Sequence, residues 1–115
     1  MGDNELQERL FRFAIKVIKM LRMVKGGSEL LIIRPQLIKS STSSGANYDE
    51  AQGAVSKADF ANKVGISLKE IRESHYWLKV LNELYSENTE VKECLDESIE
   101  LKNILGTICF KVKPR

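Results

Sequence analysis

This sequence predicts an all-α fold, an antiparallel up-down-up-down four-helix bundle, and three observations predict it. Apolar residues recur at three- and four-residue spacing through four long segments. Short connections separate those segments, which favours antiparallel neighbours. Strand-like alternation and closely spaced turn dipeptides are missing, with only two prolines and seven glycines in 115 residues. The length suits one core, and 43% hydrophobic against 30% charged residues suits a folded chain.

The first helix is expected over residues 4–25, opened by Asn4 and Gln7 in capping-box spacing and closed by Gly26 and Gly27. Leu6, Leu10, Phe13, Val17, Met20 or Leu21, and Val24 form its core stripe. Phe11, Ile15 and Ile18 fall on a second apolar stripe that a lone bundle does not need, which marks them as oligomer-interface candidates. A third face stacks Arg9, Arg12, Lys16 and Lys19 one turn apart. Residues 1–25 hold six basic and three acidic side chains, although the whole chain carries only +2. Such a strip suits phosphates, which are bound by clustered cations without regard to base sequence; the plainer reading is a solvated surface.

The second helix, residues 29–52, is the least legible. Ser28 and Glu29 resemble a helix start, whereas Pro35 and the run from Ser40 to Gly45 resemble a linker. Pro35 either kinks a helix or begins a new one. Read as helix, the small residues form a face that allows a neighbouring helix close approach.

The third helix, residues 56–85, starts at Ser56 with Asp59 three residues on. It carries Phe60, Val64, Leu68, Ile71, His75, Leu78 and Leu81 or Asn82 along one side. The fourth, residues 89–113, starts near Asn88 or Thr89 and presents Val91, Cys94, Leu95, Ser98, Leu101, Leu105, Ile108 and Val112 before Pro114. Its acidic first turns suit the positive end of the helix dipole.

Catalytic and metal chemistry find little support. His75 is the only histidine, so no histidine cluster for zinc exists, and Glu-x-x-His pairs of di-iron bundles are missing. Cys94 and Cys109 lie fifteen residues apart on one helix, about 22 Å along it, too far for a disulfide within that helix. Two reduced thiols, no cofactor and no metal are expected. The glycines never take the spacing that wraps a nucleotide phosphate. No apolar run approaches membrane-spanning length, and Met1-Gly2 opens neither a signal peptide nor, with Leu6 at the discriminating position, a myristoylation signal. A cytoplasmic protein is expected. Tyr76 and Trp77 suit a subunit contact better than nucleobase stacking.

The stretch from Gln36 to Leu81 carries a specific pattern. It contains Gln36-Leu37 with Ser40, Thr42-Ser43 with Gly45-Ala46-Asn47-Tyr48, Glu50-Ala51, Ser56 through Phe60, Lys63, Leu68-Lys69-Glu70, Glu73, and Tyr76-Trp77-Leu78. In these residues the chain resembles the four-helix bundle proteins encoded in intervening sequences of bacterial 23S rRNA genes, relatives of the accessory protein of diversity-generating retroelements. The resemblance implies that the serine-rich run lies inside helix two. It also implies a non-enzymatic homo-oligomer, a ring of five, whose partners include RNA or DNA and a nucleic-acid enzyme such as a reverse transcriptase. Lys63, Lys69, Arg72 and Lys79 become secondary phosphate-contact candidates. Ser40, Ser43, Asn47, Glu50, Asp59, Phe60, Lys69, Glu70 and Trp77 form the shared motif. A protein-interaction module is the alternative, with Asn47, Glu50, Lys69 and Glu70 networked between helices two and three. Pro35 and the small net charge depart from the family pattern.

Overall fold

The computed structural model describes residues 3–113, which form α1 (Asp3–Met23), α2 (Leu30–Gln52), α3 (Lys57–Leu84) and α4 (Thr89–Val112). The helices lie along a body of 45 × 23 × 23 Å. Consecutive helices pack together, α4 returns to α1, and the diagonal pairs do not approach each other. Cross-links give the direction of every pair. Gln7 bonds Asp49 while Leu10 lies beside Gly45, so α1 and α2 run oppositely. Ser40 meets Ser74 while Ser44 meets Ser67, which makes α2 and α3 antiparallel. Arg9 reaches Glu97 and Lys16 reaches Glu93, which does the same for α1 and α4.

Local sequence explains most helix ends. The Ser56 hydroxyl accepts from the Asp59 N–H at 3.0 Å, and the Asp59 carboxylate accepts from the Val55 N–H and from Lys63. Asn88 caps α4 by accepting from the Val91 N–H at 3.0 Å. The expected Asn4 cap and Pro114 stop lie outside the described side chains and residues, and Gln7 donates to Asp49 at 3.1 Å instead. α2 starts at Leu30 without a side-chain cap, because Glu29 already has helical φ and ψ. Pro35 withdraws one N–H from the ladder, leaving the Leu31 carbonyl without its helical donor. The helix nevertheless runs unbroken to Gln52, with Leu30, Ile33 and Leu37 buried on both sides of the proline.

The expected α1 core stripe, from Leu6 to Val24, is buried throughout. On α3 the buried row is Val64, Ser67, Ile71, Ser74, Leu78 and Leu81. It runs through two serines and not through Leu68 and His75, which are half-buried beside it. On α2 the buried row is likewise rich in small polar residues, Ser40, Ser41 and Ser44, before Tyr48 and Ala51. This explains why α2 looked like a linker, since its core face has little of the apolar stripe that marks a helix.

The α2–α3 contact is a serine seam. Ser44 donates to the Ser67 carbonyl at 3.0 Å and Ser67 donates to the Ser44 carbonyl at 2.7 Å. Ser40 and Ser74 share a 2.7 Å hydroxyl contact one turn along. A side chain can reach the facing backbone only where the helices run close, so small residues are required on both. Asn47 does not join this seam: it donates to the Ser43 carbonyl and hydroxyl, four residues back within α2. Glu50 and Lys69 are exposed, and among the described residues the side chains of Glu50, Lys69 and Glu70 show no hydrogen bond across to the facing helix. The expected inter-helix network is therefore made by serines instead. Replacing Ser67 with Leu should lower urea-unfolding stability by about 1–3 kcal/mol through overpacking, with a further loss from the missing hydroxyl bond to the Ser44 carbonyl. Wild-type stability in that variant would show that the seam has room to spare.

Candidate nucleic-acid interface

α1 shows three faces to its surroundings. The first is its core stripe. On the second, Phe11 is 53% exposed, and Ile15 and Ile18 are half-buried at the surface. These three border a groove of about 260 Å³ whose far wall is Thr42, Gly45, Ala46 and Asp49 of α2. The second stripe and the small residues Thr42, Gly45 and Ala46 of α2 thus meet in one apolar trough.

The third face holds the basic strip, and α4 answers two of its four cations. Arg9 donates from two nitrogens to Glu97 at 2.9 and 2.6 Å and lies 3.6 Å from Glu100. The Glu97 hydrogen bond, outweighing the cost of burial, raises the Arg9 pKa above its ordinary value. Lys16 pairs with Glu93 at 3.1 Å, and Arg12 with Glu8 at 2.8 Å while lying over the Phe11 ring. Among the described residues, Lys19 has no carboxylate in ion-pair range. The acidic residues of α4, which the helix dipole alone would explain, therefore face the α1 cations. Only the register between the first and last helices reveals this. The Lys16 and Arg12 pairs are solvent-exposed, and such pairs are weak enough for phosphates to compete. Along the same seam, Arg12, Lys16 and Lys19 ring an open groove of about 480 Å³ with Ile15, Met20, Met23 and Glu90 of α4.

The secondary candidates separate into two kinds. Lys63 is held by Asp59 at 3.0 Å and serves the α3 cap. Lys69, Arg72 and Lys79 are exposed and, among the described residues, have no carboxylate in ion-pair range. Tyr76 is 58% exposed and meets Trp77 edge-on, with ring centroids 5.5 Å apart. Trp77 is half-buried against the core and its indole N–H donates to Glu73. Of the shared motif, Ser40 is in the core, Phe60 packs against it and Asp59 caps α3.

Two contacts carry no sequence signal. The Arg34 guanidinium donates to the carbonyls of Leu21, at 3.0 Å, and Val24, closing the C-terminal end of α1. Tyr85 donates to the Glu29 carboxylate at 2.5 Å, and its ring fills the space that a Cβ at Gly26 would need. That hydrogen bond lowers the Glu29 pKa and raises that of Tyr85. Elsewhere, burial pushes the Cys94 thiol up to about 11 and that of Cys109 upward, and both are free. Desolvation, followed by Lys102 and Lys79, lowers the His75 pKa. Among the described residues, no three of His, Cys, Asp and Glu gather as metal ligands, and no helix is long and apolar enough to cross a membrane.

Fold and surface together define a small helical bundle whose distinctive features are on its outside. The profile of the 23S rRNA-intervening sequence protein family matches residues 2–107, and the chain belongs to that family. A solved structure of a protein of unknown function from the S23 ribosomal protein family of Bacteroides thetaiotaomicron VPI-5482 is similar at 32% identity and a TM-score of 0.82. The match covers 95% of this chain and 98% of that one. Among curated proteins none matches.

The Tyr85–Glu29 bond has a pH signature. A carboxylate whose pKa is lowered by folding contributes stability above its ordinary titration range, and that contribution is lost as pH falls through the folded value. Tyr85→Phe should therefore melt lower than wild type at neutral pH. The gap should narrow as pH drops below the ordinary glutamate range. A gap constant with pH in thermal melts would assign the effect to packing alone.

Proposed function

We propose that the protein is a non-enzymatic, self-assembling bundle that acts as an accessory or scaffold protein for nucleic acid or for a nucleic-acid enzyme such as a reverse transcriptase. The carrying observation is the trough in which Phe11, Ile15 and Ile18 meet the small residues of α2, beside the cations of α1. An apolar face of this kind, rimmed by charge, suits burial against another protein surface. A second copy is its proposed occupant, in a closed ring of five as the family resemblance implies. Repetition around a ring multiplies a modest cationic surface by avidity, which offsets a net charge of only +2. Membership in a family described by 23S rRNA intervening sequences supports a nucleic-acid setting.

A second reading, a protein-interaction module without a nucleic-acid role, draws on the pairing of Arg9 with Glu97 and Lys16 with Glu93, which neutralises part of the strip within the chain.

Light scattering on a sizing column should give an oligomer for the wild type and a helical monomer for Phe11→Glu combined with Ile15→Glu. A wild-type monomer would remove the assembly reading. Fluorescence anisotropy should detect binding of labelled oligonucleotides near about 50 mM salt, with log affinity falling linearly against log salt. Absence of binding to either RNA or DNA there would favour the protein-interaction module.

A further inference from the structure

The cations without carboxylate partners are not confined to α1. On α3, Arg72, His75 and Lys79 recur at three- and four-residue spacing and share one face. Lys102 of α4 acts on His75 together with Lys79, and Arg72 acts on Cys109 of α4, so all four groups border the α3–α4 seam. The charges that act on His75 are those of Lys102 and Lys79. Among the described residues, Arg72, Lys79 and Lys102 have no carboxylate in ion-pair range. Among their helical neighbours three and four residues away, the one carboxylate is Glu83, four residues after Lys79. The α1 strip faces an acidic wall, and this seam does not.

Two further observations concern what the seam would hold. Tyr76, 58% exposed, lies four residues after Arg72 and three before Lys79, so an open aromatic ring sits between cations spaced about 10 Å along the helix. Gly65, two turns before Arg72, and Gly106, one turn after Lys102, sit inside helices where glycine is unfavourable. A Cβ at either would meet nothing within 4 Å, so internal packing does not require them. Bare backbone at the surface allows another chain to approach closely. Cations for phosphates with an exposed aromatic for bases is the combination that single strands use.

We propose that the α3–α4 seam, through Arg72, His75, Lys79, Lys102 and Tyr76, is a docking surface for single-stranded nucleic acid. The proposal rests on the nucleic-acid reading above and assigns it a different face from the α1 strip. Phosphates on the seam replace missing counter-charge, whereas at Arg9 and Lys16 of α1 they must displace Glu97 or Glu93.

His75 is the only histidine, so its imidazole is a single resolved NMR probe in the unmodified protein. Its pH titration is recorded at low salt alone, with oligothymidylate, with oligouridylate and with a glutamate-rich peptide, while anisotropy follows binding of the labelled strands. A strand on the seam should raise the His75 pKa, since nearby phosphates favour the imidazolium, and added salt should reverse the rise. Arg72→Gln with Lys79→Gln should reduce the log affinity–log salt slope by about 1.4, the value for two single-strand phosphates, whereas Lys39→Gln with Lys92→Gln, an equal loss of charge at exposed positions elsewhere, should leave it near wild type. Strands that bind without moving the His75 titration would overturn the seam and leave the nucleic-acid reading standing. Failure of both strands to bind would remove both. A His75 shift with the acidic peptide alone would replace nucleic acid with an acidic protein as occupant.

Discussion

The reciprocal hydroxyl-to-carbonyl bonds between Ser44 and Ser67 hold α2 and α3 closer than leucine-lined helices can come. Much else depends on that approach. A core built on it gains little transfer energy from the serines themselves, and each net hydrogen bond contributes only about 1 kcal/mol. What the seam supplies is register: a shift of α2 by one residue would bury hydroxyls with no partner. No buried side-chain polar atom is unsatisfied among the described residues, as such a seam requires.

α1 is attached differently. It contributes a full apolar stripe to the core, but its outer contacts are ion pairs to α4 and the Arg34 clamp on its last carbonyls. These polar fastenings leave Phe11, Ile15 and Ile18 at the surface beside the small residues of α2. The same serine-rich segment thus serves the core on one side and forms a trough wall on the other. That double use gives a reason for small residues along so much of α2.

The two cationic surfaces differ in electrostatic setting more than in number of charges. On α1 the guanidinium of Arg9 is desolvated in part and already has a bidentate partner, so an incoming anion exchanges one carboxylate for one phosphate. On the α3–α4 seam the cations repel one another, and after burial they add to the lowering of the His75 pKa. An anion there relieves repulsion. Net charge conceals this contrast because it adds the α4 carboxylates to every lysine alike.

Several features were legible before any coordinates. The buried row of α1, the Ser56 and Asn88 caps and the four-helix architecture follow from 3.6-residue periodicity and cap chemistry, which act within a turn or two of chain. The helical state of the serine run was legible only through family resemblance, since its buried face is polar. The exposure of Phe11 followed from its angle on the helix, but the trough beside it needed α2.

The sequence alone determined that α1, α3 and α4 are helical and that α1 has the apolar stripe it buries, because those depend on neighbours three or four residues away. The tertiary structure decided that Ser67 and Ser74, not Leu68 and His75, centre the α3 core face. It also decided that Glu97 and Glu93 answer Arg9 and Lys16 of the α1 strip while, among the described residues, Arg72, Lys79 and Lys102 keep their charge without an ion pair. These outcomes depend on the register between helices distant in sequence. That register is fixed by packing and hydrogen bonding across the bundle, which no local pattern encodes.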